Sequence, residues 1–317
     1  MTSAPLPNLI IAGVVKAGTT SVFTYLSQHP DVCASSLKEA QYFLTYRYGE
    51  PPKPLENYRS LFARWRGEKY VMEATPGYFE GGSYVARMIR EVVGDDVRIL
   101  IILRDPVDRL LSFFRYKKSV LQLEQDVSLD EYLRRCRRLS ATEVRQRNSD
   151  VHWGIEGGLY ANYLPGWFEE FGNSMRIMFF DQLSRDRFGF MKELCGWLDI
   201  DAAMYERLSM HIENRSRNYR SKTLQNVALR VNDRLEAVFR RWPGIKRPLR
   251  DLYYRINSSR FADDTPESTF IGLREFYEPY NRELRDILYS KGYDDLPDWL
   301  GGSRGRDRKR IESLTGR

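Results

Sequence analysis

Residues Asn8–Gly13 form a short, almost wholly apolar run that ends on a glycine. A second glycine, Gly18, stands just ahead of Thr19-Thr20-Ser21, where a helical pattern begins. An uninterrupted apolar run of this length is the mark of a strand buried on both faces of a sheet. Two more runs share its β-branched, apolar character, Tyr70–Ala74 and Val97–Leu103. Helical patterns follow the first and third at Thr19–Gln28 and Val107–Lys118, and a fourth run, Arg176–Phe180, precedes the pattern Arg187–Leu198. Strands that alternate with helices predict an α/β fold, a parallel sheet flanked by helices. Beyond Leu224 the chain reads mostly helical, over Leu224–Arg241, Leu249–Asn257 and Gly272–Ser290, while Pro51–Pro54 reads as a loop. No interdomain linker interrupts this order. The expectation is a single domain over residues 7–300 with a helical C-terminal part, then a basic, disordered tail over 301–317.

Composition narrows the class. The 317 residues are 42% hydrophobic and 29% charged, which excludes a disordered chain or a collagen-like repeat. The longest apolar runs, Leu9–Val15 and Ile99–Leu103, fall far short of the roughly 18 residues a membrane span requires, so no transmembrane segment is expected. The first eight residues lack the basic and apolar regions of a secretory signal. Cys33, Cys136 and Cys195 lie far apart with no metal-ligand spacing, which argues against a disulfide framework or a zinc site and for a cytoplasmic location. The net charge is +7, and four of those charges sit in Ser303–Arg317. The excess is therefore largely the tail's. It suits anionic ligands better than a nucleic-acid partner.

The segment Gly13-Val-Val-Lys16-Ala-Gly18-Thr19-Thr20-Ser21 has the chemistry of an anion loop. Small residues let the backbone curl round an oxyanion, and N–H groups at a helix start point at it. It is close to the triphosphate loop GxxxxGK[ST], but Thr19 stands where that loop needs lysine, and the lysine comes earlier, at Lys16. A phosphate-like group suits this loop better than a metal-bound triphosphate. The run Arg98–Leu103 followed by Arg104-Asp-Pro106-Val-Asp-Arg109-Leu-Leu-Ser112 repeats the arrangement. A buried strand ends on Arg104, Pro106 suits the first turn of a helix, and Ser112 lies two turns on. Arg104 and Ser112 can grip a second anion at the carboxyl edge of the sheet. Arg109 and Arg115 read as solvated helix residues. No carboxylate cluster marks a metal site.

These residues resemble the sulfotransferases that use 3′-phosphoadenosine 5′-phosphosulfate (PAPS), in their heparan-sulfate and bacterial types. Lys16-Ala-Gly-Thr-Thr-Ser21 is similar to that family's 5′-phosphosulfate loop, and Arg104-Asp-Pro-x-x-Arg-x-x-Ser112 to its 3′-phosphate strand and helix. Lys38-Glu39-Ala-Gln-Tyr-Phe43 resembles the segment that carries the catalytic glutamate of the heparan branch. Further blocks, Glu73-Ala-Thr-Pro-Gly-Tyr78-Phe79, Gly158–Phe168 and Tyr277-Glu-Pro-Tyr-Asn281 to Trp299, follow in order. The resemblance implies a P-loop-like fold with PAPS as co-substrate and no metal. Lys16, Gly18, Thr19, Thr20 and Ser21 would hold the 5′-phosphosulfate, and Arg104 and Ser112 the 3′-phosphate. Asn214–Arg220 falls where the family has a loop that closes over the nucleotide, which would add Arg217 and Arg220. Two departures stand out: Ala74 replaces a lysine common in the heparan branch, and that branch's paired C-terminal cysteines are absent. Both point away from a glycosaminoglycan acceptor, and with no segment like the Golgi enzymes' membrane anchor the expectation is a soluble, bacterial-type member.

Sulfuryl transfer needs positioned reactants, charge stabilisation on the leaving group and a proton acceptor. Lys16 is the expected leaving-group cation and Glu39 the expected base, with Ala40, Tyr42 and Phe43 expected to desolvate its carboxyl. His152 is the alternative base; His29 reads as a helix cap, and His211 takes no role. Tyr42, Phe43, Tyr78, Phe79, Tyr160 and Trp167 are candidates for either an acceptor pocket or the core. Two other classes compete: a P-loop small-molecule kinase or nucleotide hydrolase, and a non-enzymatic nucleotide-binding module. The acceptor, a small molecule or a glycan, and the oligomeric state are not legible.

Overall fold

The structure is a computed structural model, and it describes residues 4–140, 142–208, 210, 218–241, 253, 256–259 and 265–301. Five parallel strands make one sheet: β1 (Leu9–Gly13), β2 (Val32–Ala34), β3 (Tyr70–Ala74), β4 (Arg98–Leu103) and β5 (Met175–Phe179). Their order is β2-β3-β1-β4-β5. The central strands are the apolar runs of the sequence. Leu9–Ala12 and Ile99–Leu103 have no exposed surface, because helices cover both faces of a parallel sheet. Ile10 pairs with Glu73 on one side and Ile99 on the other.

This order fixes where a ligand belongs. The chain leaves β1 towards β2 and leaves β4 towards β5. Connections that diverge from neighbouring strands open a crevice at the carboxyl ends of those strands. The residues at that crevice are the two segments singled out above, after Gly13 and after Leu103.

The residues group into two compact units: 1–109 with 156–213 and 271–317, and 110–155 with 214–270. The first holds the sheet, helix α1 (Thr19–Leu26) and the helices Gly82–Val93, Leu164–Phe171 and Arg187–Leu198. The helix Pro106–Ser119 begins in the first unit and runs into the second, and Asp105 caps it by accepting from the N–H groups of Val107 and Asp108 at 2.8 and 3.1 Å. The second unit holds the helices Leu129–Arg137 and Lys222–Arg241 and a two-residue strand pair, Asn218–Tyr219 with Ser258–Ser259. The expected helix over Leu249–Asn257 falls mostly outside the described residues. Among the described residues no helix is long and apolar enough to cross a membrane.

The six aromatic candidates are core. Tyr42 is 6% exposed, Tyr160 1%, and Phe43, Tyr78, Phe79 and Trp167 are not exposed at all. Phe79 stacks on Trp167, whose Nε1–H donates to the Phe79 carbonyl at 3.0 Å.

Candidate active site

The loop after β1 is shaped by two left-handed residues, Lys16 (φ 72°) and Gly18 (φ 83°). Glycine is required at position 18 twice over. The φ is unfavourable for any side chain, and a Cβ there would lie 2.7 Å from Leu183 Cδ2 and 2.9 Å from the Phe180 ring. Gly18 is the N-cap of α1 and offers no side-chain cap; its carbonyl accepts from the Ser21 and Val22 N–H groups at 2.9 and 3.2 Å. Thr19 and Ser21 are buried and Thr20 is half-buried on that first turn.

Arg104 leaves β4 beside this loop. Its Nη1 donates to the Lys16 carbonyl at 3.1 Å, and its guanidinium lies 4.5 Å over the Phe180 ring. Asp108 comes to 3.9 Å, and the Tyr160 hydroxyl donates to the Arg104 carbonyl at 2.8 Å. The buried Nε of Arg104 has no hydrogen-bond partner among the described residues. Burial, with Arg104 as the next cause, pushes the Lys16 ammonium down to about 8, although Glu39 opposes the shift; burial also lowers the Arg104 guanidinium. Two half-buried cations whose charges repel are what an anion would stabilise. Phe180, which closes on both Gly18 and Arg104, was not singled out in the sequence; its place at the end of β5 was the available signal.

Glu39 approaches from a separate segment. Its backbone is left-handed (φ 62°), as is that of Gln41 (φ 55°), and its N–H donates to the Ala74 carbonyl at 3.1 Å. Its carboxylate lies 3.2 Å from Lys38 Nζ and is 45% exposed. The expectation that Tyr42 and Phe43 desolvate it is therefore overturned. The left-handed turns send those rings into the core and leave Glu39 at the surface.

The buried carboxylate here is Glu73, which sequence reasoning quoted only within a motif. It has no exposed surface and lies on β3. Tyr58 donates to it at 3.1 Å, and Thr75 and Tyr78 donate to it as well. Burial nevertheless raises it to about 7, against the pull of those three hydroxyls and with some help from Glu39.

Arg109 is 1% exposed and is not the solvated residue expected from helix periodicity. It lies near the buried Glu80, which pairs with Arg47 at 3.2 Å, and Gly157 makes room for it: a Cβ there would sit 2.9 Å from Arg109 Nη1.

Ser112 is half-buried on its helix and belongs to the second unit, as do His152 and Arg220. Arg220 is exposed, and its N–H donates to the Asn257 carbonyl at 2.9 Å. The His152 ring lies 6.2 Å from that of Tyr132, its buried Nε2 has no partner among the described residues, and burial lowers its pKa. His29 caps its turn, with Nδ1 accepting from the Asp31 N–H at 3.1 Å. Arg217 and His211 lie outside the described residues.

Residues 6–241 match the sulfotransferase domain family. The chain is 32% identical over 170 residues to heparan sulfate glucosamine 3-O-sulfotransferase 3B1 of Mus musculus, a match covering 53% of this chain and 40% of that protein. It is 30% identical over 217 residues to the bifunctional heparan sulfate N-deacetylase/N-sulfotransferase 1 of Caenorhabditis elegans, covering 65% of this chain and 23% of that one. The chain thus spans less than half the length of these curated relatives. The crystal structure of a sulfotransferase from Alicyclobacillus acidocaldarius shares the fold with a TM-score of 0.57 at 24% identity, over 74% of this chain and 94% of that one.

Proposed function

The chain belongs to the sulfotransferase domain family, and from that premise we propose that it moves a sulfuryl group from PAPS to a hydroxyl or amine of a small-molecule or glycan acceptor. One observation carries the reading. Half-buried Lys16 and Arg104 lie together at the divergence of β1 and β4, Arg104 donating to the Lys16 carbonyl and its charge acting on the Lys16 ammonium, with Glu39 electrostatically linked to Lys16. An anionic donor fits that pair, and the unpartnered Nε of Arg104 is a donor ready for it.

PAPS supplies the sulfuryl group and a phosphate leaving group. The α1 start, with Gly18, Thr19, Thr20 and Ser21, holds the 5′ end through N–H and hydroxyl donors. Arg104 holds the 3′-phosphate. Glu39 takes the proton of the acceptor hydroxyl as that oxygen bonds to sulfur, and Lys16 neutralises the bridging oxygen as its bond to sulfur breaks. The exposure of Glu39 supports this role, because a base must meet an acceptor arriving from solvent.

A thermal melt with 3′,5′-bisphosphoadenosine in EDTA tests the donor site. At a hundred times its Kd, the ligand should add about 2.7 kcal/mol of stability. Stabilisation by Mg-ATP alone would instead favour a kinase.

A further inference from the structure

The segment that presents Glu39 is strained and needs anchoring. Two of its residues, Glu39 and Gln41, take left-handed backbone that non-glycine residues disfavour. Three backbone N–H groups tie it to the end of β3 and the turn beyond. Glu39 N–H donates to the Ala74 carbonyl at 3.1 Å, Gln41 N–H to Thr75 Oγ1 at 3.1 Å, and Phe43 N–H to the Tyr78 hydroxyl at 3.3 Å. Two of the three acceptors are hydroxyls, and a hydroxyl can rotate. Both of these hydroxyls also donate to the carboxylate of Glu73, with Tyr58 as a third donor.

We propose that Glu73 is the positioning residue of the Glu39 segment. Its carboxylate fixes the Thr75 and Tyr78 hydroxyls as donors toward itself and so leaves their oxygens as acceptors for Gln41 and Phe43. The inference deepens the reading of Glu39 as the base and rests on it. A buried carboxylate with no exposed surface is costly, and three hydroxyl donors are what makes it tolerable. An apolar residue on β3 would pack without that cost and would leave both hydroxyls free to turn. The titratable groups that face Glu73 are Tyr58 from the helix Leu55–Arg59, Tyr78 from the turn after β3, and Glu39 itself. Its ionisation near neutral pH therefore makes the anchoring pH-sensitive.

Hydrogen exchange on the full chain tests this without knowledge of the acceptor. Glu73→Gln should speed exchange of the Gln41 and Phe43 amides at least tenfold and leave β1 and β4 protected. Thr75→Val should release Gln41 most and Tyr78→Phe should release Phe43 most, since the two hydroxyls also bond to each other. In the wild type, protection of both amides, corrected for intrinsic rates, should be weaker at pH 6 than at pH 8, and Glu73→Gln should abolish that difference. Turnover of Glu73→Gln should fall at least tenfold with KM for PAPS unchanged. Unchanged exchange in Glu73→Gln overturns the proposal. If that variant fails to fold, unchanged exchange in both Thr75→Val and Tyr78→Phe overturns it. Wild-type turnover by Glu39→Gln would remove the base assignment, while the exchange data still decide the anchoring.

Discussion

In the proposed function Lys16 combines two jobs, holding the donor and neutralising its leaving group. Its ammonium is held down to about 8 by burial and Arg104, so in the free protein it loses its proton just above neutrality. Affinity for 3′,5′-bisphosphoadenosine should therefore fall as the pH rises through about 8, and Lys16→Arg should flatten that fall; calorimetric titration from pH 6.5 to 9.5 checks it. Because its charge matters most as the bridging oxygen gains charge, Lys16→Ala should lower kcat more than it weakens nucleotide binding. Arg104→Ala should do the reverse and weaken binding by about 2–3 kcal/mol with kcat nearly intact, since in the proposed function it grips a phosphate that does not react. Equal effects of the two variants on kcat would contradict this division. The loop around Lys16 and Gly18, with Arg104 at the end of the next apolar strand, is legible in the sequence because loop chemistry is local. Glu73 was not, because its partners Tyr58 and Tyr78 come from elements separate from β3, and no pattern within β3 announces them. The sequence singles out the Glu39 segment but not the environment of its carboxylate. The left-handed turns at Glu39 and Gln41 decide which side chains enter the core, and neither residue type signals them.

The loop between β1 and α1 succeeds as an element because Gly18 lets it close against Leu183 and Phe180. Gly18→Ala should cost about 2 kcal/mol of stability, from a disfavoured φ and a Cβ driven into two side chains. It should also displace the first turn of α1 and abolish nucleotide binding. A denaturant titration with a binding measurement on the same variant checks both, and a fully stable variant that binds normally contradicts the account. Strand β3 was read at its true bounds, Tyr70–Ala74, because five apolar-rich residues carry a signal. β2, Val32–Ala34, was missed because three residues show no period. The helix Glu267–Ser290 begins earlier than the expected Gly272 and runs on through Pro279. Arg109 shows the limit of periodicity. Its polarity predicts solvent, yet Glu80, on a different element, makes a buried guanidinium tolerable.

For the molecule as a whole, the buried carboxylate at the sheet should be visible in stability. Glu73 is raised from its ordinary value to about 7, so the folded chain holds a proton that the unfolded chain releases near pH 4.5. That contribution is complete below about pH 4.5 and is lost as the pH rises through 7, a swing of about 3 kcal/mol. Unfolding titrations at pH 4.5 and 8 should show this difference between wild type and Glu73→Gln; parallel pH dependence in the two proteins would contradict it. The parallel order of the strands was legible, since continuous apolar runs alternating with helices admit little else. The division into two units was not, because the helix Pro106–Ser119 runs across it without a linker. The central claim is that this sheet edge carries sulfuryl transfer with Glu39 as base. The direct measurement is transfer of labelled sulfur from PAPS, in EDTA, to a panel of sugars, phenols, lipids and metabolite hydroxyls and amines. Label is expected in at least one acceptor class, at a rate that Glu39→Gln lowers by roughly 10²–10⁴ with nucleotide binding preserved. Transfer undiminished in Glu39→Gln, or no label in any acceptor from a protein stabilised only by Mg-ATP, would contradict it.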